Sequence, residues 1–280
     1  MSTFASYDQI SPHYDSTRRP IGSEIILGCL AALGQPLGEL GLLDAGCGTG
    51  AYSAAVIDRV RHIAAIDLNT GMLAAAKAKL AAQAAAGRIA FHQGSITDLP
   101  FESESFDAVM TNQVLHHLDD GTDQTFPVLR RAIAEFARVL RPGGALIVNT
   151  STRDQLRSAY WYWQLAPGAT ERFCRRFAPL ATLREAMAEA GLAYQDRFVP
   201  LDSLCQGEAY FNGLGPLDPV WRNGDSYWTE LADEELDQAL ARVRALDAAG
   251  RLDAFVAEHD GGRPERGQIT FLFARRPALP

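Results

Sequence analysis

Two stretches of this 280-residue chain carry residue types at spacings suited to chemistry. Leu42-Leu43-Asp44-Ala45-Gly46-Cys47-Gly48-Thr49-Gly50 runs from an apolar strand into a glycine-rich turn, and Ala51 to Val56 reads as the start of a helix. Glycines there can take positive φ and let a ligand lie against the main chain without meeting a Cβ, as at the nucleotide-binding corner of a doubly wound sheet. Asp67 ends the next strand about twenty residues on, where a carboxylate accepts hydrogen bonds from ribose hydroxyls. His116 and His117 follow the fourth strand at its carboxyl end, and an imidazole there can deprotonate a hydroxyl nucleophile near neutral pH. Gly46, Gly48 and Ala51 also satisfy a dinucleotide fingerprint, so the glycines alone leave the cofactor open between NAD and another adenosine-bearing molecule.

The elements that must position these groups alternate. Strands are expected at Leu42–Asp44, Ile63–Ile66, Ile89–His92, Phe106–Met110, Ala145–Asn149, Tyr194–Val199 and Ile269–Phe273, with helices between most of them. Alternation of this kind implies a parallel sheet with right-handed crossovers. An alanine-rich helix is expected over 72–86, closed by Gly87, and one over 126–140 with Leu129, Ile133, Phe136, Ala137 and Leu140 as its buried stripe. Arg141-Pro142-Gly143-Gly144 reads as the stop after it, and Thr182-Leu183-Arg184-Glu185 as a capping box opening a later helix.

Two segments interrupt the alternation. Residues 151–180 contain Tyr160-Trp161-Tyr162-Trp163, and 201–266 hold a second aromatic cluster with a helix carrying Leu236, Ala239, Leu240, Val243 and Leu246. The domain expectation is an N-terminal lid and helix at 1–39, a core at 40–200 and 267–280, and a cap built from 151–180 and 201–266. Trp161, Tyr162, Trp221 and Trp228 are the expected acceptor wall, suited to an apolar or aromatic molecule or to a cation.

Composition excludes several classes. A net charge of -8 argues against a nucleic-acid footprint, and 47% apolar with 21% charged residues is ordinary for a soluble globular chain. No run approaches the roughly 18 apolar residues of a membrane helix. Cys29, Cys47, Cys174 and Cys205 form no C-x-x-C pair, so neither zinc nor a disulfide scaffold is indicated, and a reduced cytoplasmic setting is expected. The expected partner is a small molecule, with the chain acting as monomer or homodimer.

Taken in order, the motifs over roughly residues 7–150 resemble those of the class I S-adenosylmethionine-dependent methyltransferases. Leu43 to Gly50 looks like their first motif and Ile66-Asp67-Leu68-Asn69 with Met72-Leu73 their second. Leu99-Pro100-Phe101, then Phe106-Asp107-Ala108-Val109 and Leu115-His116-His117-Leu118, resemble the strand-four region. Leu140 to Gly144 is similar to the segment before strand five. The resemblance implies a Rossmann-like, doubly wound seven-stranded α/β sheet, mostly parallel, whose last strand is antiparallel.

It also implies roles, with S-adenosyl-L-methionine as cofactor. Gly46, Cys47, Gly48 and Gly50 present backbone to its methionine part, Asp44 attracts the ammonium and Asp67 holds the ribose. Leu68 and Ile96 sandwich the adenine, with Met72, Gly94, Ser95 and Asn112 completing the site. Tyr7, Tyr14 and Arg18 resemble the family's lid, Tyr14 and Arg18 over the cofactor and Tyr7 toward the acceptor. His116 and His117 are the catalytic candidates, and Asn149 stands where some relatives have an assisting Asp. Three other readings stay open at this point. One is a nicotinamide dehydrogenase or aminopropyl-transfer relative, although no Tyr-x-x-x-Lys pair follows strand four. The second is a non-catalytic cofactor binder. The third is methylation of a soft metalloid such as arsenite by paired thiolates of Cys174 and Cys205.

Overall fold

Alternate residues of the first strand feed opposite faces of one sheet, as a pleat of period two requires. In the computed structural model, which describes residues 19–223 and 225–278, Leu43 and Ala45 pack into one layer and Leu42 into the other. The strands are β1 (Gly41–Ala45), β2 (His62–Asp67), β3 (Ile89–Gln93), β4 (Phe106–Asn112), β5 (Leu140–Thr150), β6 (Ala193–Phe198) and β7 (Thr270–Arg275). Their spatial order is β3-β2-β1-β4-β5-β7-β6. The first five are parallel, and β7 runs antiparallel to both β5 and β6. β1 is buried along its whole length, as expected for a central parallel strand covered on both sides.

One layer is packed by the helices Pro127–Val139 and Leu180–Glu189, through Leu129, Ile133, Phe136, Leu183 and Met187. The other is packed by Ser23–Ala31 and Ala51–Val56, through Ile26, Leu30 and Val56. A third apolar cluster joins the two insertions: Leu156, Trp161 and Phe173 of the first pack with Tyr210, Trp228 and Val243 of the second. No helix among the described residues is long and apolar enough to cross a membrane.

Three local expectations need correction. The alanine-rich helix breaks at Leu80 into Thr70–Lys79 and Ala81–Ala85, because Leu80 leaves helical geometry at φ -109 and ψ 25. Thr182 lies inside its helix, which starts at Leu180 after Pro179 and has no side-chain cap; the one Thr/Gln box in this region is Thr152 with Gln155. Arg141 to Gly144 is the start of β5 and not a separate turn. The sheet absorbs it as an irregularity between the pairs Phe106–Leu140 and Ala108–Ala145, with Gly143 at φ 80 supplying the left-handed residue that a bulge needs.

Candidate active site

The glycine turn after β1 is held by its neighbours' backbones. Gly46 and Cys47 both donate N–H to the Ile66 carbonyl, each at 2.9 Å. Gly46 has φ 77, and a Cβ there would fall 2.6 Å from Val114, so only glycine fits. Gly48, at φ 52, has no atom within 4 Å of an added Cβ. Its N–H donates to Asp67 Oδ2 at 2.8 Å, while Asn69 N donates to Oδ1 at 2.9 Å. Asn69 in turn caps the next helix by accepting from Met72 N at 2.8 Å, a side-chain N-cap that fixes the chain just beyond the carboxylate. Burial raises Asp67 above the usual carboxylate range, against the pull of those backbone donors.

Asp44 lies deeper, 1% exposed. Ser53 Oγ donates to its Oδ2 at 2.7 Å; Oδ1 and Asn112 Nδ2 make no hydrogen bond of good geometry among the described residues, although the Asn112 amide lies near enough to favour the carboxylate. Burial pushes Asp44 up to about 7; the Ser53 hydroxyl opposes that shift and the Asp67 charge adds to it.

These residues open on a cavity of about 640 Å³, inside the roughly 300–1,000 Å³ range of small-molecule sites. Its floor is Asp44, Gly46, Cys47, Gly48 and Asp67; Leu68, Asn69, Met72, Gly94, Ser95, Ile96 and Thr97 form one side. Leu68 is 70% exposed although apolar, leaving one face ready for a flat ligand. Asn112, His116 and His117 line the far end of β4, and Tyr160, Trp163, Phe173 and Phe177 of the cap close the opposite wall. His116 stacks on Phe177 with centroids 4.3 Å apart and planes 10° from parallel, and its ring lies 3.9 Å from that of His117. Burial, reinforced by the Arg176 guanidinium, pushes His117 down to about 3.

Several sequence expectations are displaced. Trp161, Tyr162, Trp221 and Trp228 do not line the cavity. They are the cap's own core, each at most 5% exposed, with Trp161 Nε1 donating to Tyr210 O and Trp221 Nε1 to Ala209 O. The Tyr160–Trp163 run enters a 3-10 turn over Trp161–Leu165, where residues three apart eclipse. Tyr160 and Trp163 therefore share the cavity face, stacked with centroids 4.8 Å apart, and their i, i+3 spacing was the available signal. Gly50 is also absent from the lining; its φ of 75 and its approach to Ala76 and Leu80 make it a packing glycine. Asn149 is buried and does not line the cavity. Cys205 lines the cavity but Cys174 does not; buried in the cap core, its thiol is pushed up to about 12. With one thiol at the cavity and the other in the cap core, the structure does not bring Cys174 and Cys205 together on the cavity wall.

Tyr7, Tyr14 and Arg18 lie outside the described residues. Sequence reasoning missed Arg19, Tyr52, Gln113 and Asp225, all in the lining. Arg19 follows directly on Arg18, and nothing in the sequence alone separates the two.

The fold is a doubly wound α/β sheet with a glycine turn and two carboxylates at the carboxyl edge of its first strands. Residues 43–148 match the family model for a methyltransferase domain. Among curated relatives, the malonyl-[acyl-carrier protein] O-methyltransferase of Serratia marcescens is 33% identical over 147 residues, 52% of this chain and 51% of that one. The demethylmenaquinone methyltransferase of Clavibacter sepedonicus is 32% identical over 148 residues, 51% of this chain and 56% of its own. The chain thus spans about half the length of the curated relatives it matches. A solved structure described as a methyltransferase from an antibiotic biosynthesis pathway of Anabaena variabilis superposes with a TM-score of 0.73 at 19% identity, covering 92% of this chain and 98% of that one. Residues 43–148 therefore carry a methyltransferase domain similar to those of the class I S-adenosylmethionine-dependent methyltransferases, a similarity that favours that chemistry over the nicotinamide alternative. The residues fit S-adenosylmethionine: a buried carboxylate oxygen suited to an ammonium, an open glycine backbone, and a second carboxylate across the turn.

Proposed function

We propose that this chain transfers the methyl group of S-adenosylmethionine to a small, flat, largely apolar acceptor enclosed between the sheet and the cap. The observation that carries the reading is the continuity of one cavity from Asp44 and Asp67 to Tyr160, Trp163, Phe173 and Phe177. When bound, the cofactor supplies an electrophilic methyl on a sulfonium, and such a displacement needs alignment and dryness more than it needs acid or metal.

This chain's residues supply both. Asp44 with Asn112 receives the ammonium, and Arg19, among the described residues the one Lys or Arg in the lining, suits the carboxylate. Asp67 receives the ribose hydroxyls. Leu68 and Ile96 flank the adenine, with Gly94 and Ser95 at its edge. His116 takes a proton from a hydroxyl acceptor, stacked on Phe177 so that its ring is held in place. His117, pushed to about 3, stays neutral and shapes the wall.

Incubation with S-adenosylmethionine and a panel of flat phenols, hydroxyketones and aromatic amines tests the reading by mass spectrometry. A product heavier by one methyl, with S-adenosylhomocysteine released in equal amount, is expected. Calorimetry showing no affinity for S-adenosylhomocysteine would sink it; affinity without turnover on any class of acceptor would reduce the chain to a cofactor binder.

A further inference from the structure

Asn149, near the end of β5, makes four contacts that show why an amide stands there. Asn149 is 1% exposed. Its Nδ2 donates to Tyr52 Oη at 2.8 Å and lies 3.4 Å from Asn112 Oδ1; its Oδ1 accepts from Gln113 Nε2 at 3.0 Å. Its backbone carbonyl accepts from Gln113 N at 2.8 Å. Tyr52 Oη donates its own hydrogen to the Ile21 carbonyl at 3.1 Å.

Donor arithmetic then fixes the residue type. The tyrosine has one hydroxyl hydrogen and directs it at Ile21, so toward position 149 it offers only lone pairs. Position 149 must donate on that side and accept from Gln113 on the other. Asparagine does both, whereas an ionised aspartate only accepts. Gln113 is itself held at φ 55, a left-handed conformation that a non-glycine residue keeps only when its surroundings insist. The two bonds to Asn149 supply that insistence.

We propose that Asn149 is a positioning residue that holds two walls of the cavity in register. Through Gln113 it fixes the end of β4, three residues before His116. Through Tyr52 it fixes residues 19–22, which bring Arg19 and Pro20 into the lining; Arg19 N is tied on its other side to the Cys205 carbonyl at 3.0 Å. The proposal uses the methyl-transfer reading only to say what the two walls serve. Its test does not need turnover.

Asn149→Asp is the informative variant. It keeps size, shape and the bond from Gln113, but removes the donor facing Tyr52. The tyrosine hydrogen then turns to the new carboxylate, and the Ile21 carbonyl loses its partner. Tyr52→Phe breaks the same link from the other side. Hydrogen-exchange mass spectrometry of a peptide spanning residues 19–30 is expected to show faster exchange in both variants, with peptides from β2 and β3 unchanged. Calorimetry is expected to show S-adenosylhomocysteine binding weakened about five- to tenfold in each. The double variant should match the worse single one, because both remove one link.

Unchanged exchange over 19–30 in Tyr52→Phe overturns the proposal whether or not Asn149→Asp folds. Additive losses in the double variant overturn it as well. Were the wild-type chain to show no affinity for S-adenosylhomocysteine, the methyl-transfer reading would fail while the exchange result still decided the role of Asn149.

Discussion

The carboxylate of Asp67, at the end of β2, accepts a hydrogen bond at 2.8 Å from the backbone N–H of Gly48 in the turn after β1. One side chain thereby closes the glycine turn and faces the cavity with its remaining lone pairs. Asp67→Ala removes the turn's clamp and, on the proposed reading, the acceptors for the ribose hydroxyls. Affinity for S-adenosylhomocysteine is expected to fall by about 2–3 kcal/mol, on the order of a hundredfold. Asp67→Asn, which keeps one acceptor, should fall between. Calorimetry giving near-normal affinity for the alanine variant would show that the adenosine sits elsewhere.

Asp44 gives the binding a pH dependence of known sign. Its value near 7 in the free protein means that the carboxylate carries a proton below that pH, and an ammonium at Asp44 must expel it. Affinity for S-adenosylhomocysteine is therefore expected to fall as the pH drops below 7, approaching tenfold per unit. For 5'-methylthioadenosine, which lacks the amino-acid head, the same titration should be flat. In the free protein the sign for stability is opposite. The folded state keeps a proton that the unfolded chain has released, so Asp44's contribution is largest below the ordinary value of 3.8 and declines as pH rises toward 7. Equal pH profiles for the two ligands would remove Asp44 from the ammonium site.

The two histidines should separate kinetically. His117, held near 3 by burial and Arg176, does not change charge near neutrality. With cofactor saturating, so that the Asp44 titration drops out, a rising limb in the pH–rate profile of a hydroxyl acceptor is expected to come from His116, which lines the same cavity. His116→Asn is expected to abolish that limb and lower kcat by about 10²–10⁴-fold. His117→Asn should keep it. Retention of the limb in both variants would leave the histidines as wall residues only.

The cap shows where sequence reading reached its limit. Strands and the cofactor corner were legible because both are local: apolar runs ending in glycine, an acidic residue at a fixed distance. Which aromatic residues of 151–180 face the cavity depends on how that insertion packs against the second one, and four aromatic residues in a row do not say which of them face inward. Trp161 turned into the cap core through its bond to Tyr210 O, while Trp163 stayed at the cavity. Arg19 was missed for a similar reason, since its place depends on the tie to Cys205. The expected outcomes follow that division. Trp161→Ala should cost about 3–5 kcal/mol of stability by urea unfolding. Trp161→Phe, if folded, should leave the acceptor KM alone, whereas Trp163→Phe should change it.

Gly46 and Gly48 sit two residues apart in one turn, yet substitution should fail in different ways. At Gly46 an added Cβ meets Val114 at 2.6 Å with φ at 77, so Gly46→Ala combines backbone strain with overlap against a packed side chain. A loss of roughly 2–4 kcal/mol in unfolding free energy is expected. At Gly48 nothing lies within 4 Å and φ is 52; the strain is about 1 kcal/mol and there is no clash. The new methyl group enters open space, which the proposed reading gives to the cofactor. Gly48→Ala should therefore fold with little change in its urea midpoint while binding S-adenosylhomocysteine at least tenfold more weakly. If Gly48→Ala bound the cofactor normally, the backbone at that residue would not be the surface on which the methionine part lies.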